Sequence, residues 1–388
     1  MIKKLKNIYH FIFAWAGKVF CGNPSHKLVV IGVTGTKGKT LTVELIAEAL
    51  RACGQKVAVI SSAHIVVGNK EKPNSTENTM LGRGRAQKVL AEAVRQGCRF
   101  VIVEVSSQGI IQHRHRFIEW DAAVLINLHP EHIESHGGFQ KYREAKLDFF
   151  RYVAGSPKLG KVFFINREDE NAEYFIKAAG NNKKIFFNGT FLKANYAAAV
   201  EVADHFGCSR EATERALKDF KGVPGRMEVV VHEPFRIIVD YAHTPESLEQ
   251  VYKWGALPLR LGHDGCKLIC VLGSAGGGRD KWKRPKMGGI AAKYCDEIIV
   301  TNEDPYDENP MVILEEIAKG TEDGGKQAIK ILDRQEAIDK AVSLASEGDT
   351  VIITGKGSER FIHLARGKKF LWSEKEAVAR AMKDRNNI

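Results

Sequence analysis

A glycine-rich segment with lysine and threonine side chains is the first part of this chain that is suited to chemistry. It comprises Gly35, Thr36, Lys37, Gly38, Lys39 and Thr40, and it follows the apolar run 28–33. Glycines let successive backbone N–H groups close around phosphate oxygens at a helix N-terminus, which already favours negative charge. Lys39 is placed to reach the β- and γ-phosphates of a nucleotide, and the Thr40 hydroxyl is placed to bind Mg²⁺. The segment therefore predicts a phosphate-binding loop; a tight strand-to-helix turn is the alternative.

Acidic, histidine and lysine side chains follow two further apolar runs. Glu104 lies at the end of the run 100–105, where a carboxylate is suited to hold Mg²⁺ beside a triphosphate, and an exposed strand-end acid is the alternative. Residues 129–136 include three histidines, among them His132, and two acids. This cluster by itself leaves metal binding and an ordinary polar loop equally open. The next helical pattern contains Lys146, which is a candidate site residue or an exposed helix lysine.

Alternating β-rich and helical patterns must position these residues. Between residues 27 and 222, strands are predicted over 28–33, 57–61, 100–105, 122–126, 161–165 and 184–187, and helices over 39–53, 84–96, 139–151, 195–206 and 210–219. A Gly- and Pro-containing break at 221–226 separates them from a second alternating run, with strands over 227–231, 236–240, 268–272, 297–301, 328–331 and 350–354. Helices are predicted there near 245–254, 286–294, 310–319, 334–346 and 374–383.

This alternation is typical of mainly parallel sheets covered by helices, with ligands at the carboxyl ends of the strands. We therefore predict an α/β fold with three segments. A short N-terminal apolar and basic segment, 1–26, precedes a central P-loop ATP-binding domain with a mainly parallel sheet, 27–222. A smaller Rossmann-like α/β domain, 223–388, follows.

Charge and cysteine content narrow the class of protein. The formal net charge of +11 suits an anionic small substrate or a nucleic acid. Lysine and arginine are spread along the chain without a long basic run, which favours the anionic substrate and predicts no nucleic-acid partner. The seven cysteines are scattered and contain no C-x-x-C pair, so we expect reduced, mostly buried thiols in a cytoplasmic protein.

The N-terminal segment combines lysines at positions 3, 4 and 6 with the apolar stretch 8–20. Phe20 does not fit the small residue that precedes a signal-peptide cleavage site, and the stretch is too short to span a bilayer. An amphipathic helix fits better. It either docks on the domain that follows or makes a peripheral membrane contact through residues 3–20.

The ordered motifs resemble the Mur ligase family. They are T-G-T-x-G-K-T at 34–40, E-V-S-S at 104–107, N-L-x-x-[DE]-H-x-x-x-H-G at 127–137 and Y-x-x-A-K at 142–146. Further matches lie at 222–228, 240–245, 276–281, 284–288 and 355–359, so the resemblance extends from residue 28 to the C-terminus. Within the family, the chain is most similar to the UDP-N-acetylmuramoyl-tripeptide synthetases.

The resemblance implies a reaction and the residues that carry it out. ATP phosphorylates a substrate carboxylate, and an amine then attacks the acyl phosphate. Thr40 and Glu104 are expected to hold one Mg²⁺, His132 helps to hold a second, and a carbamylated Lys146 supplies an oxygen ligand. The implied catalytic residues are Lys39, Lys146, His132 and Arg226, the last acting as an arginine finger when the domains close.

The remaining residues that the resemblance implies bind substrates. ATP is expected to contact the loop 35–40 and Asn195, Arg226, Asp240 and His243, although a helix N-cap explains Asn195 equally well. The anionic muramoyl-peptide is expected to contact Asn78, Thr79, Ser106, Gln112 and Arg114. The amino acid is expected to contact Arg279 through its carboxylate, with Gly355 and Glu359 near its amine.

The chain departs from the family pattern at several points. The family's N-terminal uridine-binding domain is not expected here, because only residues 1–26 precede the predicted ATPase strand. The motif D-N-P-R of diaminopimelate-specific members reads Glu303-Asp304-Pro305-Tyr306, and Tyr306 lacks the bidentate contact that arginine makes with a distal carboxylate. Lysine or another amino acid is therefore possible, and the acids Glu303, Asp304, Asp307 and Glu308 favour a cationic side chain. Glu131 replaces an aspartate, and Gln108 and Ser358 replace histidines.

Three functions remain open at this point. The leading one is an ATP-dependent amide-forming ligase that adds an amino acid to UDP-N-acetylmuramoyl-L-alanyl-D-glutamate, or to a related muramoyl-peptide, in peptidoglycan synthesis. A second keeps this chemistry on a different carboxylate acceptor, as in folylpolyglutamate or polymer synthetases. The third is a nucleotide-binding subunit without ligase activity.

Overall fold

The computed structural model describes residues 2–74, 76, 78–82, 84–131, 136–190, 192–220, 222–260 and 265–386. The chain divides into two compact units, Met1–Lys221 and Gly222–Ile388. Each unit has a mainly parallel sheet with helices packed on it, which confirms the predicted α/β fold class.

The strands of the first unit are β1 (Val29–Thr34), β2 (Val57–Ile60), β3 (His64–Val67), β4 (Lys70–Pro73), β5 (Phe100–Val105), β6 (Ala122–Leu125), β7 (Val162–Asn166) and β8 (Lys183–Phe187). They form one sheet in the order β4-β3-β2-β5-β1-β6-β7-β8. All neighbours are parallel except the pairs β2–β3 and β3–β4. The short antiparallel strands β3 and β4 were absent from the sequence prediction, because β4 is a polar, exposed edge strand without an apolar pattern.

The helices of this unit are α1 (Ile2–Phe20), α2 (Lys39–Ala52), α3 (Arg85–Arg95), α4 (Ser107–Ile111), α5 (Phe139–Ala154), α6 (Ala172–Ala178), α7 (Leu192–His205) and α8 (Arg210–Lys218). Two apolar clusters fill the two faces of the sheet. The continuous apolar runs of the central strands follow from this burial on both sides. Gly32 leaves room for the ring of Phe149, since a Cβ at Gly32 would lie 2.3 Å from the Phe149 Cζ.

Strand β1 lies between β5 and β6, and all three run in the same direction. Their carboxyl ends therefore meet at one edge of the sheet, where Val33 pairs with Glu104 and Thr34 pairs with Leu125. The loops that follow these strands carry the phosphate-loop motif, the segment 104–107 and the segment 127–137.

The second unit contains β9 (Glu228–Val231), β10 (Arg236–Asp240), β11 (Leu268–Leu272), β12 (Glu297–Val300), β13 (Ile329–Lys330), β14 (Thr350–Thr354), β15 (Phe361–His363) and β16 (Lys369–Leu371). Its main sheet has the order β13-β12-β11-β14-β10-β9, with β9 antiparallel to β10, and β15 and β16 form a separate antiparallel pair. The helices are α9 (Pro245–Arg260), α10 (Lys283–Tyr294), α11 (Pro310–Asp323), α12 (Arg334–Leu344) and α13 (Glu374–Asn386). Asp240 pairs with Thr354, so the ends of β10 and β14 are adjacent.

The cysteines differ from the prediction of reduced thiols. The structure joins Cys53 to Cys208 within the first unit and Cys270 to Cys295 within the second, with Cα–Cα distances of 5.7 Å and 6.0 Å. These partners are 155 and 25 residues apart in sequence, so their pairing depends on how the helices and strands pack. Cys21, Cys98 and Cys266 are free.

The predicted N-terminal helix is present as α1. Among the helices that the structure describes, none is long and apolar enough to cross a bilayer.

Candidate active site

The phosphate-loop motif joins β1 to α2 with a backbone that only glycine accepts readily at one position. Gly38 has φ of 77°, in the left-handed region, and precedes the first residue of α2. A Cβ at Gly38 would lie 2.5 Å from the Oδ1 of Asn195. The Thr42 hydroxyl donates to this same Asn195 oxygen at 3.2 Å. Asn195 therefore packs directly against the start of α2.

The structure rejects one alternative for Asn195. Helix α7 begins at Leu192, so Asn195 lies inside the helix and is not its N-cap. Its side chain is buried against the loop that was predicted to bind the nucleotide.

Asn127 holds the loop in its curved conformation. Its Oδ1 accepts hydrogen bonds from the backbone N–H groups of Thr36 and Lys37 at 3.0 Å and 2.9 Å. Its Nδ2 donates to the Lys37 carbonyl at 3.1 Å. The sequence analysis did not select Asn127, although the residue opens the 127–137 motif immediately after an apolar run.

Thr40 and Glu104 are brought together as predicted. The Thr40 hydroxyl donates to the Glu104 Oε2 at 3.1 Å, and both residues are buried. The backbone N–H of Ser62 donates to the same carboxylate oxygen at 2.8 Å, and its hydroxyl lies 3.0 Å from that of Thr40. Glu104 is therefore not an exposed strand-end acid. Ser62 was not anticipated, because it lies in a short turn without a recognisable motif.

This oxygen-rich group fits a magnesium ion. Magnesium is held by one or two carboxylate or hydroxyl oxygens together with substrate phosphates and waters, rather than by a dedicated cluster of side chains. Within the described residues, no group of three or more His, Cys, Asp or Glu side chains is arranged to hold a metal. His132 lies outside the described residues.

Lys146 is buried beneath the loop. Its Nζ donates to the Gly35 carbonyl at 2.9 Å and to the Thr34 hydroxyl at 3.2 Å, so it is not an exposed helix lysine. Burial, and then the nearby Lys39 ammonium, lower the pKa of the Lys146 amine well below its ordinary value of 10.5. Lys39 itself donates to the Thr36 carbonyl at 2.8 Å.

The loop after β6 adds further contacts. Lys37 forms an ion pair with Glu131 at 2.8 Å. The Thr36 hydroxyl lies 3.2 Å from that of Tyr142 and accepts from the His129 backbone N–H at 2.9 Å. One small region at the carboxyl edge of the sheet is thus surrounded by five ionisable groups: Lys37, Lys39, Glu104, Glu131 and Lys146.

The residues predicted for the muramoyl-peptide lie on neighbouring loops. Ser106 caps α4, because its hydroxyl accepts from the Gly109 N–H at 3.2 Å. Arg114 donates to the Gln112 side chain and, at 2.5 Å, to the Met80 carbonyl. This second bond holds Met80 against Arg114, and the predicted residues Asn78, which is exposed, and Thr79, which is half-buried, precede Met80 in the chain.

In the second unit, Asp240 organises the end of β10. Its carboxylate accepts from the backbone N–H groups of Met227 at 2.6 Å and Ala242 at 2.7 Å. The Arg226 guanidinium lies 4.2 Å from the centroid of the Tyr241 ring, and the His243 Nδ1 lies 2.8 Å from the Tyr241 carbonyl oxygen. Arg226, Asp240 and His243 are therefore close to one another, and their contact with a nucleotide stays a prediction.

The acidic residues near the end of β12 fall into two classes. Asp304 is paired with Lys356 at 2.9 Å, and Lys356 also contacts Glu359 at 2.7 Å. Glu303 is buried, and its Oε2 has no hydrogen-bond partner among the described residues. Burial, and then the adjacent Asp304 carboxylate, raise the pKa of Glu303 above its ordinary value of 4.5, while Lys283, Lys356 and Arg334 oppose this shift.

Gly355 lies directly against the open oxygen of Glu303. Gly355 has φ of 109°, and a Cβ there would lie 2.6 Å from the Glu303 Oε2. Only glycine fits at position 355, because any side chain there would collide with the Glu303 carboxylate. The predicted amino-acid residues Glu303, Asp304, Gly355 and Glu359 form one connected group.

Tyr306, which the sequence analysis matched to an arginine of the related motif, contacts a histidine and an arginine. Its ring stacks on that of His363, with centroids 5.1 Å apart and an interplanar angle of 14°. The Arg279 guanidinium interacts with the Tyr306 side chain. The other acids predicted near a cationic substrate are engaged: Asp307 accepts from the Arg366 N–H at 2.8 Å, and Glu308 pairs with Arg284 at 3.0 Å.

Comparison with known proteins identifies the family of the chain. The family model of the Mur ligase middle domain matches residues 33–228, and that of the Mur ligase glutamate ligase domain matches residues 225–357. The UDP-N-acetylmuramoyl-L-alanyl-D-glutamate–2,6-diaminopimelate ligase of Geobacillus kaustophilus is 34% identical over 93% of this chain and 80% of that protein. The enzyme of the same name from Aquifex aeolicus is 34% identical over 92% of this chain and 78% of that protein.

Solved structures resemble the chain as well. The structure of a UDP-N-acetylmuramoyl-L-alanyl-D-glutamate–2,6-diaminopimelate ligase superimposes with a TM-score of 0.59 at 29% identity, covering 92% of this chain and 79% of that one. Mycobacterium tuberculosis folylpolyglutamate synthase, complexed with ADP and AMPPCP, gives a TM-score of 0.67 at 17% identity, covering 89% and 92%. At that level of identity, the second likeness indicates a shared fold only.

Proposed function

This chain belongs to the Mur ligase family, and from this premise we propose that it joins an amino acid to UDP-N-acetylmuramoyl-L-alanyl-D-glutamate, or to a related muramoyl-peptide, at the expense of ATP. The family's members are ATP-dependent amide ligases, and the relatives named above are ligases of UDP-N-acetylmuramoyl-L-alanyl-D-glutamate and 2,6-diaminopimelate by name. We place the reaction in the cytoplasm, where ATP is available.

The proposed reaction has two steps. The substrate carboxylate attacks the γ-phosphorus of ATP, so that an acyl phosphate forms and ADP leaves. The amine of the amino acid then attacks the acyl carbon, a proton is lost from nitrogen, and inorganic phosphate leaves. In the first step a carboxylate must approach a polyanion, and this repulsion is strong in a site of low dielectric constant. The lysines of the loop lower that barrier.

The observation that carries this proposal is the cluster at the end of β1. Lys39, Thr40 and Glu104 lie there, and the Thr40 hydroxyl donates to the Glu104 carboxylate at 3.1 Å. Thr40 and Glu104 are the residues that we propose to hold Mg²⁺, and His132 is proposed for a second ion. Bound magnesium screens the charge of the phosphates.

We further propose that Lys146 is carbamylated. A lysine amine reacts with carbon dioxide only when it is neutral, and burial of Lys146 favours the neutral form. Carbamylation converts the buried neutral amine into an anion, with release of a proton, and this anion is suited to be a metal ligand. The anion also attracts the nearby Lys39 ammonium.

For the amino acid we propose lysine, or another residue with a single carboxylate, rather than diaminopimelate. Both relatives described above are named as diaminopimelate ligases, but Tyr306 stands where the related motif has arginine. Tyr306 has no charge with which to bind a distal carboxylate. The buried Glu303 Oε2, which has no hydrogen-bond partner among the described residues, is suited to pair with an ammonium group.

The test is a phosphate-release assay with purified protein, ATP and Mg²⁺. UDP-N-acetylmuramoyl-L-alanyl-D-glutamate is compared with a folate-type acceptor and with simple carboxylates, each against a panel of amino acids. We expect release only with the muramoyl-peptide, and loss of release in Lys39→Ala. Release with another acceptor alone would assign the chain to that chemistry. ATP-analogue binding without turnover on any acceptor would indicate a non-catalytic subunit.

We also propose that residues 3–20 make a peripheral membrane contact. The segment has basic residues next to apolar ones, and this composition is typical of helices that lie in a membrane interface.

A further inference from the structure

Helix α1 has two faces of opposite character. Residues on one face are buried or half-buried against the rest of the unit: His10, Ala14 and Gly17. Residues two positions away from these, about 200° around the helix, form the other face. This face, which we call the α1 stripe, is made of Ile8, Ile12, Trp15 and Val19, which are 56%, 52%, 53% and 56% exposed.

The buried face holds α1 firmly against its unit. Gly17 lies so close to Gly84 that a Cβ at Gly17 would be 2.8 Å from the Gly84 Cα. The Phe11 ring contacts the edge of Phe117, with centroids 4.9 Å apart. Lys18 pairs with Glu119 at 3.6 Å. Because these contacts fix the rotation of the helix, the α1 stripe points away from the unit that carries it.

The composition of α1 indicates what the stripe binds. Apolar side chains scattered singly on a surface are common, but a continuous helical stripe of them marks an interaction site. Besides Lys18, which is paired with Glu119, helix α1 contains Lys3, Lys4 and Lys6 and no acidic residue. Trp15, in the middle of the stripe, is a residue type that concentrates at the boundary between lipid and water. A helix whose sequence combines such a stripe with an excess of lysine is complementary to an anionic lipid surface.

We propose that the α1 stripe binds the surface of a bilayer that contains anionic lipid, while the opposite face of α1 stays docked on its own unit. The proposal rests on the peripheral membrane contact proposed for residues 3–20. The present proposal names the side chains that enter the lipid. Because these side chains lie on one face of a docked helix, the first unit is held at the bilayer in one orientation. It is independent of the ligase reaction.

The experiment is vesicle co-sedimentation of the full chain in the absence of substrates. Phosphatidylcholine vesicles with and without phosphatidylglycerol are compared at low and high salt. The test variant is Ile12→Glu with Trp15→Glu. The matched control is Phe370→Glu with Leu371→Glu, which makes the same kind of change at exposed apolar residues of the other unit. Binding of an ATP analogue and circular dichroism report whether each variant is folded.

We expect the wild type and the control to bind the anionic vesicles and to lose binding as salt rises. The test variant is expected to bind about a hundredfold more weakly, since two side chains that enter the lipid become charged. A blue shift of tryptophan fluorescence on vesicle addition, absent in Trp15→Phe, would support insertion of this side chain.

Other outcomes overturn the proposal in distinguishable ways. A further variant replaces Lys3, Lys4 and Lys6 by glutamate. If this variant loses vesicle binding while Ile12→Glu with Trp15→Glu keeps it, the protein contacts the membrane through its lysines, and the role of the α1 stripe is overturned. Equal binding to both kinds of vesicle at all salt concentrations would overturn the selection of anionic lipid. No vesicle binding by the wild type, with self-association that the test variant abolishes, would assign the stripe to a second copy of the chain. Failure of the ligase assay would change none of these results.

Discussion

The side-chain amine of Lys146 donates a hydrogen bond to the main-chain carbonyl of Gly35 at 2.9 Å. A residue in the middle of α5 thereby reaches the turn of the phosphate loop, and its amine is removed from water. The same contact places Lys146 near Lys39 and Glu104, whose charges both act on its pKa. The loop and the helix lysine therefore form one site.

Replacement of Lys146 by alanine is expected to abolish turnover, and short carboxylic acids are expected to restore part of it by supplying the lost carboxylate oxygen. Lys141→Ala, at an exposed position of the same helix, is the control and should retain activity. Carbon-13 NMR of the wild type in labelled bicarbonate should give a carbamate signal that is absent in Lys146→Ala. Full activity of Lys146→Ala would contradict the carbamate role.

Replacement of Asn127 by alanine is expected to weaken binding of an ATP analogue. The carboxamide holds two loop N–H groups through one oxygen, and loss of two hydrogen bonds corresponds to about ten- to a hundredfold in affinity. Isothermal titration calorimetry measures the effect. The control is Asn182→Ala, whose side chain donates to the Ala179 carbonyl, outside the loop. Equal affinities of the two variants would show that the loop holds its shape without Asn127.

Replacement of Tyr306 by arginine is expected to raise the use of diaminopimelate relative to lysine by about ten- to a hundredfold, because a charge-assisted hydrogen bond to the distal carboxylate becomes available. The measurement is the ratio of kcat/KM for the two amino acids. Tyr306→Phe keeps the ring against His363 without adding charge, so its ratio should match the wild type. An unchanged ratio in Tyr306→Arg would disprove the specificity argument.

Replacement of Glu303 by glutamine is expected to stabilise the protein at neutral pH while weakening binding of the amino acid. The folded-state pKa of Glu303 is raised above 4.5, so the folded state holds its proton more tightly than the unfolded state does. The free energy of unfolding of the wild type therefore falls as pH rises from about 4.5 through the folded-state pKa. The variant lacks this loss.

Urea unfolding between pH 4.5 and 8 tests the glutamine substitution. The difference in stability between Glu303→Gln and the wild type should grow with pH and then level off. The control is Glu322→Gln, at an exposed acid of α11, where no such trend is expected. A variant less stable than the wild type across the whole range would show that the buried carboxylate is stabilised by its surroundings.

The sequence by itself determined the parts that depend on local pattern. Apolar runs that lead into Gly35–Thr40 and Glu104 predicted strands that end in a phosphate loop and an acidic ligand, because parallel strands present their carboxyl ends at one edge. The same patterns predicted the α/β class of both units. The ordered motifs predicted the family, since each motif is short and continuous in the chain.

Only the tertiary structure decided the contacts between distant segments. Lys146 is 111 residues from Gly35 in sequence, and its burial depends on how α5 packs beside β1. The pairing of Cys53 with Cys208 contradicted the predicted reduced thiols, because compositional rules contain no distances. Two acids near Tyr306 differ in their surroundings. Asp304 is paired with Lys356, whereas the buried Oε2 of Glu303 has no hydrogen-bond partner among the described residues. Charge, burial and reactivity are properties of a side chain's surroundings, and those surroundings exist only after the chain has folded.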